Sequence, residues 1–97
     1  MGNDYMSGLS VLKFSAEWCA PCKRLQTIVD KMEKEFPDIA IYNVDIDNDF
    51  EIAKKYSIKI VPTLLFFDGG KEQKKIEGLE KTDAVRKAFK ALVKEKE

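Results

Sequence analysis

The chain's only two cysteines stand three residues apart in "FSAEWCAPCKR" (Phe14 to Arg24), where one hydrophobic pattern gives way to another. That junction constrains the fold more than any other stretch. Before it, "LSVLKFS" (Leu9 to Ser15) is short and apolar and reads as a strand. After it, from Ala20 to Phe36, apolar residues fall at Leu25, Ile28, Val29, Met32 and Phe36, which is helical spacing, and Pro37 marks the stop. The cysteines therefore belong to a strand-to-helix turn, with Cys19 at the helix start and Cys22 one turn in.

The rest of the chain continues the alternation. "IAIYNV" (Ile39 to Val44) is apolar on both faces, as suits a strand covered by helices on each side. A short helix is predicted from Asp49 to Tyr56. "TLLFF" (Thr63 to Phe67) is a third strand, "DGGK" supplies hairpin chemistry, and the charged "EQKKIEG" reads as an edge strand. Thr82 is placed to cap a last helix that buries Val85, Ala88, Phe89 and Leu92. The predicted order is βαβαββα, an α/β fold with no repeats and no linker.

Ninety-seven residues make a single domain over 1–97, with 1–8 as a short N-terminal extension. Seventeen basic residues balance seventeen acidic ones, which disfavours nucleic acid and anionic membranes as partners. No apolar run approaches the roughly 20 residues of a membrane span. "MGNDYMSG" lacks the basic and apolar regions of a signal peptide, and Met6 occupies the position where a myristoylation site needs Ser or Thr. A cytoplasmic setting is expected, in which a lasting structural disulfide is disfavoured.

Three uses of the cysteine pair compete. Structural zinc needs four ligands drawn mainly from Cys and His, and the chain has two Cys and no His. A structural bridge between these two residues closes too short a loop to restrain the unfolded chain much. Redox chemistry fits best. Residues three apart on a helix lie about 5 Å from Cα to Cα, within disulfide range. The free N–H groups and dipole of the helix start favour a thiolate at Cys19. Pro21 is tolerated in that first turn because its missing N–H has no helical partner to lose. Lys23 and Arg24 add positive potential beside the thiolate, or are simply solvated. Cys19 is then the attacking, more exposed thiol, and Cys22 the deeper one that resolves the mixed disulfide. "DIDND" (Asp45 to Asp49) resembles the opening of a calcium loop. Phe50 stands where the loop needs glycine and Tyr56 where it needs glutamate, so it is set aside.

"AEWCAPCK" resembles the thioredoxin signature, and the likeness runs from about Leu9 to the C-terminus. "IVPT" is similar to the family's cis-proline segment, "NVDID" to the segment after its central strand, and Gly78 to a glycine at the rim of its substrate groove. The resemblance implies a mixed four-stranded sheet flanked by helices on both faces. It implies a groove of Trp18, Ala20, Pro21, Ile60, Val61, Pro62 and Gly78, with a cis Val61–Pro62 bond. In that groove the Val61 backbone pairs with an extended substrate in β-strand fashion. It also implies that Asp45 accepts the indole N–H of Trp18, unless Asp45 is an ordinary strand-end aspartate. No cofactor is expected on the chain itself, which carries its electrons in the redox-active Cys19–Cys22 disulfide. The partners implied are disulfide-containing proteins and a thioredoxin reductase using NADPH and flavin.

The sequence departs from the family in three places. Ala20 replaces the usual glycine between the cysteines. Lys13 stands where the family usually has a buried acid beneath the resolving thiol. Only eight residues precede the first strand, so the family's initial strand and helix are largely absent. Lys13 is expected to be a charged neighbour of Cys22, a desolvated neutral base, or a side chain that snorkels to water. The strand Ile39 to Val44 is expected to be a weakly protected edge, covered by residues 1–8, joined to a second chain in a weak dimer, or left open in a monomer. The leading function is a dithiol–disulfide oxidoreductase that reduces protein disulfides. The alternatives are a thiol oxidase or isomerase on the same fold, and a binding module with incidental redox activity.

Overall fold

The computed structural model describes residues 8–96. Its elements are β1 (Leu9–Ser15), α1 (Ala20–Glu35), β2 (Ala40–Asp45), α2 (Phe50–Lys55), β3 (Thr63–Asp68), β4 (Lys71–Glu77) and α3 (Thr82–Lys96). The sheet order is β2-β1-β3-β4. β1 runs parallel to β2 and antiparallel to β3, and β4 returns antiparallel to β3. The βαβαββα order is the one the alternating patterns predict, and the mixed four-stranded sheet is the one the resemblance implies.

β1 and β3 occupy the middle of the sheet, and side-chain alternation along them divides the core in two. Val11, Leu64 and Phe66 face α1 and α3, where they pack with Leu25, Val29 and Met32 of α1 and Val85, Phe89 and Leu92 of α3. Leu12, Phe14, Leu65 and Phe67 face the other way, onto Val44 of β2 and Ala53 of α2. A slip of one residue in either strand would exchange these two sets, so burial on both faces fixes the register. Phe89 meets the Phe66 ring edge-on at a centroid distance of 5.2 Å and lies 5.5 Å from Phe36. Fully burying one such aromatic side chain contributes roughly 1.5–3 kcal/mol.

The β3–β4 hairpin turns at Gly69 and Gly70, whose φ values of 60° and 84° are the left-handed pair that a tight two-residue turn requires. β4 is charged and largely exposed, as an edge strand should be. β2 is less enclosed than its apolar sequence predicts. Ile41 packs against the α1–α3 side, and Tyr42 and Val44 against the α2 side, while Ala40 and Asn43 are exposed. The reason is its place in the sheet: among the described residues β2 has one neighbouring strand, β1. Of residues 1–8, one of the covers expected for its outer edge, 1–7 lie outside the described residues. Thr82 is also not the cap of α3. It is the first helical residue, and the carbonyl of Lys81 accepts the N–H groups of Ala84 and Val85.

This topology positions the cysteines. β1 is central, so its C-terminal end opens at the middle of the sheet rim, and the turn after Ser15 delivers the start of α1 there.

Candidate active site

The turn between β1 and α1 is tied at both ends. The Cys19 N–H donates to the Ala16 carbonyl at 3.2 Å, and the Ile46 N–H donates to the Ser15 carbonyl at 3.0 Å. Cys19 is the N-cap of α1 in extended conformation, with Pro21 in the first turn. Its Sγ accepts the backbone N–H of Cys22 at 3.2 Å, the position that a Ser or Asp oxygen takes at an ordinary N-cap. A sulfur there meets a converging N–H and the positive end of the helix dipole.

Cys19 and Cys22 are joined as a disulfide with Cα atoms 5.3 Å apart. Both are buried, at 4% and 2% exposure, among Ala16, Ile46 and Val61. The expectation of an exposed Cys19 above a buried Cys22 is therefore corrected for this oxidised state. In this state the two residues differ in hydrogen bonding more than in exposure.

Val61 packs on the cysteine cluster, and the Val61–Pro62 bond that follows is cis. Two hydrogen bonds hold this loop. Thr63 Oγ1 donates to the Ile60 carbonyl, and the Gly78 N–H donates to the Pro62 carbonyl, both at 2.7 Å. Gly78 has φ of 89°, a conformation glycine adopts freely. Trp18, Ile60 and Leu79 are large apolar residues left exposed near this loop and the cysteine turn, Trp18 at 69%. A cavity of about 300 Å³ is lined by Trp18, Ile46, Ile58, Lys59, Ile60 and Val61. Ala20 and Pro21 are exposed at the start of α1. Pro62 is buried.

Asp45 does not hold the tryptophan. The Trp18 Nε1–H donates to Asp47 Oδ2 at 3.1 Å. Asp45 is committed to the turn after β2, where its carboxylate accepts from the Asp47 N–H at 2.9 Å and from Asn48 Nδ2 at 3.4 Å. Its carbonyl accepts the Asn48 and Asp49 N–H groups as well. The turn carries Asp47 outward to the exposed indole, while the Asp45 carboxylate, on the same cavity, is taken up by the Asp47 N–H and Asn48.

Lys13 is 4% exposed, so its amine does not snorkel to water. It donates to Gln26 Oε1 on α1, and Gln26 Nε2 donates to Asp30 Oδ1 at 2.7 Å. Burial pulls the Lys13 pKa below its ordinary value, and the Asp30 carboxylate opposes that pull. Lys13 and Cys22 line one cavity of about 240 Å³, together with Glu17, Lys23, Gln26 and Asp45. Arg24 is exposed on α1.

Gln26, Asp47, Thr63 and Leu79 were not anticipated from the sequence. Gln26 had a legible signal, since it stands four residues after Cys22 and so on the same helix face. Asp47 had none, because only the fold of the turn decides which of three neighbouring aspartates meets Trp18.

Over residues 4–91 the sequence matches the family described as Thioredoxin. It is 41% identical over 81 residues to the thioredoxin of Chlamydia trachomatis serovar D, covering 84% of this chain and 79% of that protein. With thioredoxin-2 of Saccharomyces cerevisiae it shares 37% identity over 70 residues, covering 72% and 67%. Oxidised mitochondrial thioredoxin 3 of Saccharomyces cerevisiae superposes with a TM-score of 0.87 at 29% identity, covering 93% of this chain and 86% of that one. Fasciola hepatica thioredoxin superposes with a TM-score of 0.84 at 32% identity, covering 92% and 86%. The family match, the superposition on solved thioredoxins and the Cys19–Cys22 disulfide at the strand-to-helix turn have one reading: the chain belongs to the thioredoxin family, and its Cys19–Cys22 pair performs thioredoxin-type dithiol–disulfide oxidation and reduction.

Proposed function

We propose that this protein reduces disulfides in other proteins, with Cys19 as the attacking thiol and Cys22 as the resolving one. The observation that carries the assignment is the Cys22 N–H aimed at Cys19 Sγ at the N-terminus of α1. A donor that already faces the sulfur in the disulfide would face the thiolate after reduction, with no reorganisation needed. The Cys19 thiolate attacks one sulfur of the substrate disulfide, and the other leaves as a thiolate that takes a proton from water. Cys22 loses its proton and attacks the Cys19 sulfur. The Cys19–Cys22 bond forms, the bond to the substrate breaks, and two electrons have passed to the substrate.

The substrate strand lies across Trp18, Ala20, Pro21, Ile60, Val61, Pro62 and Gly78. Exposed apolar side chains supply contact area there, and the Val61 backbone supplies strand pairing. Asp47 orients the indole, the task first expected of Asp45. A thioredoxin reductase drawing on NADPH and flavin returns the pair to the dithiol form. Insulin reduction driven by dithiothreitol or by such a reductase tests this reading. Sustained turnover that is lost in Cys19→Ser supports it, and no turnover by the unmodified protein would leave only a binding module.

A further inference from the structure

Among the described residues Lys13 is the only buried charged side chain. Taking an ammonium ion out of water costs several kcal/mol unless hydrogen bonds or an opposite charge compensate it. Its direct partner is the neutral amide of Gln26, which donates in turn to the carboxylate of Asp30. Among the described residues no carboxylate hydrogen-bonds Lys13 directly while Cys22 is in the disulfide. Cys22 is the other buried ionisable residue of the same cavity, and it acquires a charge only when the disulfide is opened.

We propose that Lys13, held as an ammonium ion by Gln26, is the counter-charge of the Cys22 thiolate and so a positioning residue for resolution of the mixed disulfide. The inference rests on the assignment of Cys22 as the resolving thiol. In that step the Cys22 proton leaves to solvent, the thiolate attacks Cys19 Sγ, and the substrate departs as a thiolate. Lys13 gives up no proton and forms no bond. It lowers the cost of the anion at the sulfur that must become one.

Other charges face the cavity and need comparison. Glu17 and Lys23 are exposed, so water and salt screen them. Asp45 is half-buried, and its carboxylate is engaged with the Asp47 N–H and Asn48. Of these groups Lys13 alone combines burial with a sign that favours the thiolate. Burial and Asp30 act on its own pKa in opposite directions, and a thiolate arriving at Cys22 would act in the same direction as Asp30.

The test is a titration of Cys22 in a Cys19→Ser background, where serine keeps an N-cap acceptor. Thiolate absorbance in the ultraviolet reads it directly. With Lys13→Met or Lys13→Gln added, the Cys22 pKa should rise by about one pH unit, as expected on losing a nearby opposite charge. Lys23→Gln should move it less, and that smaller change should disappear in high salt. An unchanged or lowered Cys22 pKa in the Lys13 variants overturns the proposal. A second measurement needs no substitution. By linkage, the ammonium resonance of Lys13 should titrate at higher pH in the reduced protein than in the oxidised one. Equal titration in both states also overturns it. Neither readout depends on which thiol meets the substrate, so a failure of Cys22→Ser to trap substrates would count against the functional reading alone.

Discussion

Asp47 and Lys13 show how single side chains set the properties of the pair they flank. Asp47 fixes the exposed Trp18 ring through one hydrogen bond of 3.1 Å. Asp47→Ala should reduce kcat/KM for protein disulfides roughly two- to tenfold, the worth of one such bond, and leave Asp45→Asn as a change to the turn rather than to the indole. Lys13 bears on stability as well as chemistry. Its folded-state pKa lies below the ordinary value of 10.5 because of burial, so the unfolded chain binds more protons between those two values. The charged lysine costs stability at neutral pH, and the cost is relieved as pH rises through the folded pKa towards the unfolded one. Lys13→Met should therefore stabilise the fold by about 1–2 kcal/mol near pH 7, with the gain shrinking towards pH 10. Denaturant unfolding across that range checks the slope, and a gain independent of pH would contradict it. At this scale the sequence was only partly legible. It singled out Cys19, Cys22, Trp18 and Lys13 by type and spacing, but whether Lys13 reaches water or Gln26 depends on what α1 lays over it.

Among elements, the contact of α1 with α3 carries most of the core on one side of the sheet. Phe89 is fully buried where α3 crosses Phe66 of β3 and Phe36 after α1. Phe89→Ala should destabilise by about 3–5 kcal/mol, a large part of what a domain this size has, while Phe89→Leu should cost markedly less. Equilibrium unfolding in urea measures both. At the rim of the same contact Arg86 makes paired hydrogen bonds to Glu35 at 2.8 and 2.9 Å and reaches Asp83 at 3.2 Å. The Arg86 hydrogen bond holds the Glu35 carboxyl below its ordinary value of 4.5. A carboxyl depressed on folding adds stability above its unfolded pKa and loses it as pH falls through the folded one. Arg86→Gln should thus be less stable than the parent at neutral pH, and the difference should vanish in acid and shrink in salt. Elements were the most legible level. β1 was bounded at Leu9 and Ser15 as expected, because its apolar run ends at the cysteine turn. α1 follows its buried positions Leu25, Val29 and Met32. α3 starts at Thr82 rather than after it because Lys81 supplies the capping carbonyl, a backbone role that composition does not reveal.

For the molecule as a whole, the sheet order does the functional positioning. A central β1 presents its carboxyl end at mid-rim, α1 begins there, and the loop before β3 packs Val61 against the same cysteines. The strand order could not be read from periodicity, which gives elements but not neighbours. The resemblance of "AEWCAPCK" and "IVPT" to a known family implied a mixed four-stranded sheet, and the structure supplies its order. All of this converges on one asymmetry: two buried sulfurs, of which only Cys19 is the N-cap sulfur that accepts a helix N–H. Mixed-disulfide trapping tests that asymmetry most directly. Cys22→Ser and Cys19→Ser proteins would each be incubated with an oxidised protein substrate near neutral pH, and the adducts mapped by peptide mass spectrometry. The account predicts a stable adduct on Cys19 in Cys22→Ser and far less adduct on Cys22 in Cys19→Ser. Equal trapping by both, or trapping mainly through Cys22, would contradict it.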